Sequence, residues 1–112
     1  MTNSERLLME TKEINLTSDE VTVYLMENDL TANNEYDPKS ITNKRNIYKT
    51  ALSILESIAN QPSQMKNYKK DDISVSQFAE NIQSRIEQLE RKIRQMRIDD
   101  TKPENNTFIL FG

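Results

Sequence analysis

The chain has 112 residues, 35% of them hydrophobic and 29% charged, with a formal net charge of -3. It contains no Cys and no His, and its one Gly is Gly112. That composition excludes a disulfide framework and thiol chemistry, removes the preferred ligands of zinc and the commonest general acid–base residue, and rules out a Gly-rich phosphate loop.

Length suits one domain, and the apolar content is thin for a self-sufficient core. A small folded body that gains stability from neighbours is expected, with no cofactor and no metal. No run of 18 apolar residues is present, so no membrane span is expected. The opening MTNSERLLME carries acids and lacks the apolar stretch of a signal peptide, which points to an intracellular protein.

Four helical segments and no internal repeat are predicted, an all-α fold. The first covers about Ser4 to Lys12, with Leu7 and Leu8 as its apolar residues. The second opens at Thr17, where Thr17 and Glu20 have capping-box spacing. Val21, Tyr24 and Leu25 share its inner face, and Asn28 and Asp29 end it. After a polar loop, Asp37-Pro38 reads as a helix start. The third helix runs from there to about Asn60, with Ile41, Tyr48, Ala51, Leu52, Leu55, Ile58 and Ala59 at steps dominated by three and four. Ile47 and Ile54 widen the stripe, so cover from two sides is expected. Pro62 ends it.

The connection PSQMKNYKKDDISVSQ follows, with Met65 and Tyr68 as anchors. Ile73 and Val75 alternate with polar residues and predict a brief extended segment. Ser74 or Ser76 caps the last helix, about Gln77 to Ile98. Phe78, Ile82, Ile86, Leu89, Ile93 and Met96 form a heptad-like seam along it. Two readings fit this seam, a helical hairpin with the third helix or a short coiled coil between chains. Glu87–Arg91 and Glu90–Arg94 are spaced as i,i+4 ion pairs. The body is thus residues 1–98. Residues 99–112 read as a polar linker and a tail whose Phe108, Ile109, Leu110 and Phe111 are consecutive and apolar. Such a tail either packs on its own body, stays loose, or adds to a partner as an anchored strand.

Charge is unevenly spread. Residues 1–37 hold 2 basic and 9 acidic side chains, residues 38–97 hold 12 and 6, and residues 98–112 hold 1 and 3. Solvated helix faces explain this, and so does complementarity between copies. Catalysis is not expected. Asp71-Asp72 sits beside Lys69-Lys70, Asp99-Asp100 follows a helix end, and neither has calcium-loop spacing. Ser53, Ser57 and Ser63 have no His to activate them. Arg85, Arg91, Lys92, Arg94 and Arg97 give the last helix a basic character. With no aromatic residue interleaved, they suit non-specific duplex contact better than single-strand stacking. A small DNA-binding or coiled-coil regulatory protein is therefore the alternative to an assembly role.

The order TSDEVTVYLMEN, NNEYDP, NKRNIYKTALSILESIAN, PSQMKNYKKDDISVS and FAENIQSRIEQL resembles the small head–tail connector (adaptor, or head-completion) proteins of tailed bacteriophages, over roughly residues 17–97. KKDDISVS is similar to a stretch of that family in which Gly stands where this chain has Asp71. The resemblance implies a mainly helical, non-enzymatic virion protein. It would assemble as a ring, commonly of twelve copies, beneath the portal protein, extend the DNA channel and dock tail or stopper proteins. Localisation would be the head–tail interface of the virion, after assembly in the host cytoplasm. On this reading Phe108, Ile109, Leu110 and Phe111 clamp a neighbouring protein. Lys66, Lys69 and Lys70, with Arg91 and Arg94, are candidates for the DNA channel or the contacts between subunits.

Overall fold

Two capping boxes organise the first third of the chain. The Thr2 hydroxyl accepts from the Glu5 backbone N–H while the Glu5 carboxylate accepts from the Thr2 N–H, and Thr17 and Glu20 repeat the arrangement. Each box satisfies donors that a helix start would otherwise leave open. The computed structural model describes the backbone of residues 1–108 and the side chains of residues 1–96. Over that range the protein is all-α. Helices α1 (Asn3–Glu10), α2 (Ser18–Glu27), α3 (Ile41–Ala59), α4 (Met65–Tyr68) and α5 (Val75–Phe108) follow in order, with one 3-10 turn at Pro62–Gln64. The tail residues Ile109, Leu110 and Phe111, and the side chain of Phe108, lie outside the described residues.

The long pair α3 and α5 forms the spine, and α1 and α2 lie against α3. Tyr48 of α3 meets Lys92 of α5, while Leu55 meets the region of Phe78 and Ile82. The two helices are therefore antiparallel. The seam on α5 is an intramolecular one: Phe78, Ile82, Ile86 and Leu89 are buried, with Ile93 and Met96 packed at its edge. Ile47, Ala51, Ile54, Leu55 and Ile58 supply the facing side from α3, Leu7 comes from α1, and Val21 and Leu25 from α2. The broad stripe on α3 has the two-sided cover its width requires.

Polar groups inside this core are paired locally. Thr50 and Thr11 donate to the carbonyls of Asn46 and Leu7, one turn back. Buried Asn3 donates to the Thr31 carbonyl and accepts from the Asn43 carboxamide, tying α1 to the loop after α2 and to α3. No described buried side-chain polar atom lacks a partner, as expected where each orphan would cost about 1–3 kcal/mol.

Several boundaries differ from expectation. Helix α3 starts after Ser40, whose hydroxyl accepts from the Asn43 N–H. Asp37 instead closes a turn, its carboxylate accepting from the Lys39 N–H. Ile73 and Val75 form no strand; Val75 already opens α5, and the Ser74 hydroxyl accepts from the Gln77 N–H. Helix α4 is additional to the four segments predicted. The backbone of α5 continues to Phe108, past Ile98 and Pro103.

Helix α2 ends in a motif with two reversed hydrogen bonds, Leu30 N–H to the Leu25 carbonyl and Asp29 N–H to the Met26 carbonyl. Asp29 takes φ 64 there, a left-handed position that Gly occupies without strain. Asp29→Gly is expected to stabilise the protein by about 0.5–1 kcal/mol in urea unfolding. Leu89→Ala, at a fully buried seam position, is expected to destabilise it by about 2–5 kcal/mol in the same measurement.

Candidate functional site

The helices bring three charged regions to the surface. The first is where α1 meets α5. Glu10 is paired with Arg6 one turn back, at 2.8 Å, and with Arg85 of α5 on its other oxygen. Arg6 also lies over the rings of Tyr36 and Tyr48, at 5.4 and 5.7 Å. Burial alone would lower the Arg6 pKa, but the hydrogen bond and charge of Glu10 outweigh it and hold the guanidinium above its usual range. Beside this cluster runs a groove of about 420 Å³. Glu10, Arg85 and Asn81 line it together with Phe78 and Ile82, which are buried. Within it Glu10 is paired with Arg85, Arg85 also donates to Gln88, and Asn81 donates to Glu13.

The second region is the connection before α5. Ile14 and Lys69 form a single backbone bridge. Asn15 N–H donates to the Tyr68 carbonyl at 2.7 Å, and the Asn15 carboxamide donates to the Lys69 carbonyl and accepts from the Lys70 ammonium. Lys69 is thus half-buried and Lys70 is held, while Lys66 is exposed on α4. Tyr68 completes the anchor by donating its hydroxyl to Glu20 at 2.8 Å.

The third region is the far stretch of α5, where Arg91 and Arg94 are exposed. Arg91 lies about 24 Å along the helix from Val75 at ~1.5 Å per residue. The five basic residues singled out in the sequence therefore fall into two separate groups, not one patch. Between described residues the ion pairs are Met1–Glu35, Arg6–Glu10 and Glu10–Arg85. The expected Glu87–Arg91 and Glu90–Arg94 pairs are not closed, which accords with the small gain such exposed pairs offer. Lys92 instead lies 5.2 Å from the Tyr48 ring.

Sequence reading passed over one feature. Val23 and Met26 on α2 are 52% and 65% exposed, and Asp19, Thr22 and Glu27 are exposed with them. These positions are spaced by three and four and share one helix face. The apolar spacing of Val21, Tyr24 and Leu25 marks only the inward face of α2. Among the described residues no group of three or more acidic side chains is placed to hold a metal ion, and no helix is long and apolar enough to cross a membrane. Compared with models of protein families, curated proteins and solved structures, the chain matches none.

The capping carboxylates give the fold an acid limit. The Thr17 backbone N–H holds Glu20 below the ordinary value of 4.5, against the effect of burial, and the Tyr68 hydroxyl assists. The Thr2 N–H does the same for Glu5. A lowered folded-state pKa gives stability that is complete above the unfolded value and is lost as pH falls through the folded one. Stability to urea is expected to fall as pH drops below about 4.5. Glu20→Gln retains an acceptor but cannot titrate. It is expected to flatten that acid slope, with a loss of about 0.5 kcal/mol at pH 7. An unchanged slope in the variant would remove Glu20 from the account.

Proposed function

We propose that the chain is a structural adaptor of the head–tail connector kind, a phage virion protein that assembles as a ring under a portal. The observation that carries this reading is the contrast between an acidic surface on α1, α2 and their loops and a surface of net basic excess on the rest of the body. Of the acidic residues in positions 1–37, all except Glu10 and Glu20 are exposed, on α1, α2 and their loops. In the remainder the exposed bases, among them Lys44 and Lys49 of α3, Lys66 of α4 and Arg91, Lys92 and Arg94 of α5, outnumber the exposed acids Glu56, Asp71, Asp72, Glu80 and Glu87. Two unlike surfaces on one chain suit heterologous side-by-side contacts, the kind that closes a ring. The resemblance over residues 17–97 supports the same reading, because α2 to α5 all contribute to one core. The polar surface and modest core suit a protein stabilised by its neighbours.

In this proposal Phe108, Ile109, Leu110 and Phe111 anchor the adaptor on the portal or an adjacent protein. Lys66 and Lys70 are placed toward packaged DNA, where contacts with phosphates need no base reading. The alternative, a small DNA-binding module, rests on Arg91, Lys92 and Arg94. It predicts retention on duplex DNA with a steep loss as salt rises.

The test is co-expression with the portal protein encoded in the same genome, followed by mass measurement of the purified complex. Multiple copies of the chain per portal are expected, and removal of residues 104–112 is expected to abolish their retention. Retention without the tail would return Phe108 to Phe111 to another role. Absence of any complex, together with salt-sensitive binding to duplex DNA, would replace the adaptor reading with the alternative.

A further inference from the structure

We infer that the outer face of α2 is a docking surface for the Arg91–Arg94 stretch of α5 in a second copy of this chain. The inner face of α2 is occupied, with Val21 and Leu25 buried. The outer face has Thr22, Val23 and Met26 at its centre and a carboxylate toward each end, Asp19 and Glu27, all exposed. An apolar centre between two anions calls for a partner with cations on long apolar stems. Arg91 and Arg94, spaced by three and both exposed, provide two cations on one side of α5, while Lys92 is turned to the Tyr48 ring of its own chain. Arginine stems lie along apolar surface while the guanidinium reaches a carboxylate.

The occupant is a second copy because this chain's own α5 does not reach the stripe. α2 packs through its inner face on α1 and α3, not on α5. Arg91 lies on α5 opposite the buried seam of Ile86, Leu89 and Ile93, and Arg94 lies on the adjoining flank, both exposed. The two patches are unlike, so each copy retains one free patch after a first contact and the association is head-to-tail. Two exposed apolar side chains make a small contact. It is weak singly and gains strength when many contacts act together or a cycle closes. This inference rests on the self-associating part of the adaptor reading and not on the portal.

Sedimentation of the full chain alone, at its highest soluble concentration and over a series of salt concentrations, tests it. Reversible association that weakens as salt rises is expected. The double variants Asp19→Lys with Glu27→Lys, and Arg91→Glu with Arg94→Glu, each make both patches of one sign. Each is expected to associate at least about tenfold more weakly than the wild type. All four positions are exposed, so the helical circular dichroism of both variants should be unchanged. An equimolar mixture is expected to recover association, because each variant then meets its opposite. A monomeric wild type, variants that associate like the wild type, or a mixture no stronger than its parts would each overturn the proposal. A wild type monomeric alone yet retained on the portal would remove this contact and leave the adaptor reading. Charge-swap rescue without portal binding would do the reverse.

Discussion

The carboxylate of Glu10 joins the two parts of the molecule. It is the last residue of α1, an eight-residue helix, far below the length at which a helix persists alone in water. Helix α1 exists because its residues are held elsewhere: Leu7 by the core, Asn3 by Thr31 and Asn43, and Glu10 by Arg85. The Glu10, Arg6 and Arg85 side chains are 14%, 12% and 29% exposed, so the cluster has lost much of its water. One carboxylate then serves two guanidiniums, and removing it would leave two cations close together beside Tyr36 and Tyr48. The stabilisation is conditional in the usual way of partly buried ion pairs. It is modest while intact and costly when one member is missing. Loss of this link would free the end of α1 from α5, while Leu7 and Asn3 still hold the helix on α3.

How much of this was legible depends on the range of each interaction. Thr17–Glu20 and the stripes on α3 and α5 are local patterns, and they stand where the spacing puts them. Thr2–Glu5 has the same spacing as Thr17–Glu20 but lacks a strong apolar run behind it, and α1 begins at Asn3, one residue before the expected Ser4. Asp37-Pro38 carries a start signal as good as Ser40. The choice was made by Asn43, whose N–H meets the Ser40 hydroxyl and whose carboxamide reaches Asn3. Helix α4 is four residues long, shorter than any period can reveal. The Glu10–Arg85 pair spans 75 positions, and no spacing rule connects residues so far apart. The stripe of Asp19, Val23, Met26 and Glu27 was present in the sequence. It became informative only once packing showed which face of α2 was covered.

The uneven charge of the chain has two uses, and the fold separates them. Part of it is consumed internally: Glu10 by Arg6 and Arg85, Glu13 by Asn81, and Glu20 by Tyr68 and its own helix start. These contacts fasten the first third of the chain to the connection and to α5. The rest remains at the surface: α1, α2 and their loops are mainly acidic, while α3 and α5 carry bases interspersed with the exposed acids Glu56, Glu80 and Glu87. Exposed charge in water contributes little to folding, so its distribution is not explained by stability. In the proposed adaptor it acts on approach and orientation, where complementary fields speed encounter and reject wrong alignments.

Area imposes the remaining constraint on any assembly built this way. The exposed large apolar residues include Leu8 and Met9 on α1, Val23 and Met26 on α2, and Ile41 and Val75 at the starts of α3 and α5. They are distributed over several elements, whereas a lasting two-body interface buries about 800 Å² on each partner around a desolvated centre. Contacts of this kind are individually short-lived. They become durable when each copy is held at two sides, or when an additional anchor raises its local concentration. In the proposed adaptor both means are available: the residues Phe108 to Phe111 would secure the copy to a larger partner, the charged faces would set its angle to the next copy, and neither would need to be strong alone.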